Sequence, residues 1–167
     1  MLKKILLAVL VAAPMFMSAQ AVKFGVINPQ EIVNVMPDYA TAQNTLKTVS
    51  DKYQTQAKAL QDEYDKKLQE YQDLTKAKAT DAQLEAKGKE ITDIQTRFQN
   101  FQQTAQSDLQ KQQETLMAPI EQKLNNAIQS VGAKGGYTAI FMDGALLYKG
   151  SNLEDVSAKV KAELGIK

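Results

Sequence analysis

The sequence predicts a mainly α fold with a small β body: a long antiparallel α-helical hairpin, a coiled-coil arm, emerging from a small α/β body. Three observations carry this. Residues 38–131 are punctuated only by Gly88 and Pro119, and their apolar residues recur at steps of three and four. The two flanks, 22–37 and 132–167, switch to strand-like alternation and turn residues. Finally, 8 Gly, 4 Pro and 7% aromatics in 167 residues are too few turns for an all-β fold and too little bulk for a large compact core.

The chain opens with Met1-Leu2-Lys3-Lys4 and an apolar run through Met17, then Ala19-Gln20-Ala21. A basic start, an apolar stretch and an A-x-A site form a secretory signal peptide. The run of about 14 residues falls short of the roughly 20 a spanning helix needs. Residues 1–21 are expected to be removed, with cleavage after Ala19 as the second choice. No Cys exists to carry a lipid anchor. The exported chain is expected in the periplasm.

Val22 to Ile27 alternates as a strand, with Phe24 and Val26 on one face. Asn28-Pro29 caps and starts a short helix to Met36. Pro37-Asp38 starts the first arm helix. In it Leu46, Val49, Tyr53, Ala57, Leu60, Tyr64, Leu68 and Tyr71 follow an eleven-residue repeat, which favours a nearly straight seam. Asp62 with Lys66, and Glu63 with Lys67, have the spacing of i,i+4 ion pairs. A reversal is placed near 76–83, where Thr80 and Gln83 have capping-box spacing. The second arm helix carries Leu84, Ile91, Ile94, Phe98, Phe101, Ala105, Leu109, Leu116, Ile120, Leu124, Ile128 and Val131. Gln56, Lys67, Gln102 and Gln112 dilute the stripe, which predicts a loosely packed arm. Pro119 is expected to bend it.

Gly132, Gly135 and Gly136 end that helix. Tyr137–Met142 reads as a strand, Asp143-Gly144 as a type I′ turn, and Ala145–Tyr148 as the return strand of a hairpin. Ser151 with Glu154 has capping-box spacing before a last helix bearing Leu153, Val156, Val160 and Leu164. Within the strand, Tyr137, Ala139 and Phe141 should point one way, Ile140 and Met142 the other. One layer of short helices leaves one face bare, so the body is expected to oligomerise through Phe24, Val26, Tyr137, Ile140, Phe141, Met142, Leu146 and Leu147.

With no His and no Cys, a Cys nucleophile, a His base, a catalytic triad, disulfides and Cys/His zinc sites are excluded. Asp62, Glu63 and Asp65 point in different directions on one helix and make no cation site. No enzyme, metal or cofactor is expected. Removing residues 1–21 takes away Lys3 and Lys4 and no acid, leaving 18 basic against 19 acidic residues. A nucleic-acid binder wants a basic surface, so no nucleic acid is expected as partner.

The order of parts resembles the OmpH/Skp family of periplasmic chaperones. The residues that carry the resemblance are Asn28-Pro29, Pro37-Asp38-Tyr39 before the long helix, Leu116-Met-Ala-Pro119-Ile120, Gly135-Gly136-Tyr137, and Ser151-Asn-Leu-Glu-Asp-Val156. The resemblance implies a homotrimer with a joint β-barrel body, three helical arms around a cavity, and ATP-independent holding of unfolded outer-membrane β-barrel proteins. Familiar members are markedly basic, whereas this chain is almost neutral. That leaves only a weak membrane-surface contact and little electrostatic steering.

A holdase needs many weak, adaptable contacts. Tyr53, Tyr64, Tyr71, Phe98 and Phe101 are the candidates for client contact. The plainer role for such a stripe is packing within the hairpin. The two roles combine if the seam opens slightly. The alternative is a structural or adaptor coiled-coil protein of the envelope that holds no client.

Overall fold

The computed structural model describes residues 22–166, so the expected signal segment lies outside the described residues. The elements run β1 (Phe24–Ile27), α1 (Pro29–Val35), α2 (Pro37–Lys76), α3 (Asp81–Gly135), β2 (Ala139–Met142), β3 (Glu154–Asp155) and α4 (Ser157–Glu163). Mostly helical with one small sheet, this is the expected mixture.

The long helices form the antiparallel hairpin. At 1.5 Å per residue, α2 extends about 60 Å and α3 about 80 Å. Every apolar residue of the α2 repeat from Leu46 to Tyr71 is half-buried. On α3 the matching stripe is half-buried or buried, and Ile94, Ala105, Ile120, Leu124 and Val131 are its most covered members. The helix runs through Pro119 unbroken. Proline has no N–H for the Thr115 carbonyl four residues earlier. Both residues are exposed, so water can satisfy that carbonyl.

The reversal occupies 77–80, without glycine. Lys78 takes a left-handed conformation at φ 54°. Ala79 N donates to Leu74 O at 3.0 Å and Lys78 N to Thr75 O at 3.1 Å, the paired bonds of a Schellman stop. Thr80 then opens α3 with the predicted capping box: its side chain accepts from Gln83 N, and Gln83 Oε1 accepts from Thr80 N at 3.1 Å. Farther along, Gly88 sits inside the helix, and apart from the helix's own backbone and the adjoining residues nothing lies within 4 Å of where a Cβ would be. Gly88→Ala is expected to stabilise the protein by about 0.8–1 kcal/mol, read as a raised denaturant midpoint.

The sheet is parallel throughout, in the order β2-β1-β3. The predicted hairpin is therefore absent. A type I′ turn needs positive φ at both central residues, and neither Asp143 nor Gly144 has it. Instead Asp143–Ala145 forms a 3-10 turn, in which Leu146 N donates to Asp143 O at 3.3 Å. Residues 145–148, expected as the return strand, leave the sheet, and β3 forms later, on the other side of β1. The strand also begins later than predicted. Tyr137 precedes β2, and its ring lies over Gly25 rather than beside Ala139 and Phe141. A Cβ on Gly25 would sit 2.9 Å from Val156 Cγ1 and 3.3 Å from the Tyr137 ring, so only glycine allows this close approach.

The last helix starts at Ser157, well after the expected cap at Ser151. Asp155, not Ser151, serves its N-terminus, accepting from Ser157 N at 2.8 Å. The predicted apolar face survives, because Val156 and Val160 are fully buried. They join Ile27, Ile32, Val33, Met36, Ala42, Ile120, Leu124, Ala127 and Val131 in one core. The roots of both long helices are thus built into the body.

Candidate functional site

Two surfaces stand out: the seam of the arm and the sheet face that the helices leave uncovered.

The seam is thin. Between Leu46 and Leu109 only Ile94 and Ala105 are fully buried. The five arm aromatics named above all lie in this seam, each half-buried. Tyr53 and Phe101 meet edge-to-face at 5.8 Å. The Tyr53 hydroxyl donates to Asp108 at 2.7 Å, and Gln112 donates to the same carboxylate at 2.7 Å. That shared bond raises the Tyr53 hydroxyl above its ordinary pKa and lowers the Asp108 carboxyl. Tyr64 and Phe98 line a notch of about 120 Å³ with Leu60 and Ile94. Tyr71 lines an open groove of about 490 Å³ nearer the tip, with Leu68, Leu84 and Ile91.

Polar ties cross the hairpin alongside this stripe. Lys123 pairs with Asp38 at 2.8 Å, Arg97 with Glu63 at 3.1 Å, and Gln95 donates to Tyr64 at 3.4 Å. The expected pairs Asp62–Lys66 and Glu63–Lys67 do not form. Asp62 is taken by Lys58 at 2.9 Å, Glu63 by Arg97, and Lys67 by Glu70 and Glu90. The partners taken instead are Lys58 one turn before Asp62, Glu70 one turn after Lys67, and Arg97 and Glu90 on the facing helix. Lys67, Glu70, Lys87 and Glu90 close a square of alternating charge. Lys67 first, then Lys87, holds the Glu90 carboxyl down to about 2.

On the sheet, alternation and register put Phe24, Val26, Ala139 and Phe141 on one face and Gly25, Ile27, Ile140 and Met142 on the other. Helices cover the second face, where Ile27 is in the core and Ile140 packs against it. Opposite, the Phe24 and Phe141 rings meet at 5.8 Å, tilted by 48°, and stay partly open, Phe141 at 40% exposure. Met142 at the strand end is 57% exposed, Leu147 fully so, and Leu146 is half-buried in the loop. Val26 is buried within the chain itself. Among the described residues, the large apolar side chains left exposed are Val22, Phe24, Val35, Phe141, Met142, Leu147 and Tyr148, all in the body. Val22, Val35 and Tyr148 are not among the expected oligomer residues, although Tyr148 ends the expected return strand beside Leu147.

A charged cluster pins the sheet edge. Glu154 on β3 accepts from Lys159 and, at 2.6 Å, from the Tyr137 hydroxyl, and it pairs with Lys23 at 3.2 Å. Lys23 also sits 4.0 Å over the Tyr137 ring. Lys159 first, then Tyr137 and Lys23, holds the Glu154 carboxyl down to about 2. Since Glu90 and Glu154 titrate near 4.5 when unfolded, their contribution is complete above that pH and is lost as pH falls toward 2. The thermal midpoint is expected to drop between pH 5 and 2. Glu154→Gln should lower it at pH 7 and flatten that drop, as calorimetry across the range would register.

Among the described residues no cluster of His, Cys, Asp or Glu could hold a metal ion. Among the described residues no buried side-chain polar atom lacks a partner. No described helix is long and apolar enough to cross a membrane. What the surfaces offer is apolar area under partial cover.

The comparisons with known proteins bear on this arrangement directly. The family described as outer membrane protein (OmpH-like) matches residues 23–164. The chain belongs to the OmpH-like family. A crystal structure of an OmpH-like outer membrane chaperone from Caulobacter crescentus superposes with a TM-score of 0.74. It is 16% identical and covers 86% of this chain and 83% of its own. At that identity the likeness speaks for the fold alone. No curated protein matches the sequence. The OmpH-like match spans sheet, hairpin and last helix together, so arm and body belong to one family unit.

Proposed function

We propose that this OmpH-like protein is an ATP-independent holdase of the periplasm, a homotrimer whose arms keep unfolded outer-membrane β-barrel proteins from aggregating. The carrying observation is the half-buried apolar stripe along the arm, with only two fully covered residues between Leu46 and Leu109. A stripe in that condition can share surface with a client without first unfolding. Tyr53, Tyr64, Tyr71, Phe98 and Phe101 are its proposed contacts, because their rings present apolar area at a partly open seam and Tyr adds a polar edge. The open body face bearing Phe24 and Phe141 supports assembly, with sister chains covering it and joining their sheets into a barrel.

The test is dilution of a urea-unfolded outer-membrane β-barrel protein into buffer with and without residues 22–167, followed by light scattering. Suppressed scattering near one trimer per client, with no ATP, is the expected result. Unchanged scattering across several clients would overturn the reading and favour a structural coiled-coil protein of the envelope.

A further inference from the structure

The square of Lys67, Glu70, Lys87 and Glu90 occupies a special position in the arm. Each lysine touches both glutamates, at 3.4 and 2.7 Å for Lys67 and at 2.9 Å twice for Lys87. Two of these contacts lie within a helix and two cross the hairpin. Toward the tip, no further side-chain hydrogen bond or ion pair among the described residues joins α2 to α3. The apolar cover there is thin as well, since Leu68, Tyr71, Leu84 and Ile91 only line an open groove. Toward the body, by contrast, Ile94 and Ala105 are fully buried and polar ties recur. The square is the last fastening before the tip.

We propose that these four residues form a salt-sensitive clasp that sets how far the two helices part at the distal end of the arm. A lone exposed ion pair does little. Here four contacts share four groups, and the lysine side chains are only 27% and 18% exposed, the most covered of the paired lysines. Partial cover keeps water from screening them fully. Salt still reaches them, because the glutamates are 36% and 45% exposed. Near 1 M monovalent salt the screening length falls to about 3 Å, the length of the contacts themselves. With the clasp open, nothing polar holds α2 to α3 beyond Leu68, and the groove residues are bared. The amount of apolar surface near the tip therefore follows ionic strength. This holds whether or not the arm grips a client, and no client enters the test.

The experiment is amide hydrogen exchange on the protein, with body amides as internal reference. Three forms are compared: wild type, E70Q/E90Q, and the fourfold swap K67E/E70K/K87E/E90K, which reverses every charge while keeping every attraction. Exchange over residues 71–86 is expected to rise roughly five- to tenfold in E70Q/E90Q. It should return close to the wild-type rate in the swap, and should rise in wild type at about 1 M KCl. Equal rates in wild type and E70Q/E90Q overturn the clasp. So does a swap as fast as E70Q/E90Q, a rise shared equally by the body, or indifference to salt.

Discussion

Ile32→Ala is expected to lower the unfolding free energy by about 2–5 kcal/mol. Ile32 is 0% exposed and packs in the core where α1, the roots of α2 and α3, and α4 converge. Helix α1 has only seven residues, far fewer than a helix needs to persist alone in water. Ile32 and Val33 are its two buried residues, so truncation removes about half of its anchorage and leaves a cavity among four elements. Val35→Ala on the exposed side of the same helix should stay within about 0.5 kcal/mol. Urea titration of both variants, at one fixed protein concentration because assembly adds to apparent stability, makes the comparison. Equal midpoints would mean that the body does not depend on this core.

Phe141→Asp should weaken self-association by about a hundredfold or more while the separated chain keeps its helices. Phe141 makes few demands on the fold of one chain: its ring meets that of Phe24 at a tilt, and 40% of the residue is exposed. In the proposed trimer the same face is covered by a sister chain, and a carboxylate there would be buried without a partner. Sedimentation velocity over a range of concentrations reads the association, and circular dichroism checks the helices. A variant that remains associated with the wild-type affinity would remove this sheet face from the interface. The light-scattering assay on the same variant then tells whether holding a client requires assembly.

The arm was legible in the sequence because its determinants are local. Steps of three and four placed Leu46 through Tyr71 and Leu84 through Val131 on the correct faces, and Thr80 with Gln83 marked the reversal through their own hydrogen bonds. The sheet was less legible because its pairing is remote. Asp143-Gly144 carries a hairpin signal, yet β2 pairs in parallel with a strand at the other end of the chain, and no short-range pattern announces that. Glu154 has capping-box spacing from Ser151, but Lys159, Tyr137 and Lys23 claim its carboxylate. The arm held one comparable surprise. Lys67 looked like a dilution of the stripe, and on the facing helix it finds Glu90 at 2.7 Å. Side chains long enough to cross a seam choose partners that periodicity within one helix does not reveal.

The placement of β1 between β2 and β3 also dictates an order of events. β1 is made first of the three, while its partners lie over a hundred residues downstream. Contacts of such sequence separation close slowly, because the intervening chain must lose its freedom before they form. The hairpin shortens that search. Once α2 and α3 zip from the turn at 77–80, the ends of the chain are delivered to one place and the effective loop between β1 and β2 collapses. The arm therefore acts as the folding scaffold of the body. Until β2 is complete at Met142 the central strand has both edges unpaired, and until Asp155 it still has one, so a new copy is for that time an incompletely folded polypeptide with an open strand edge.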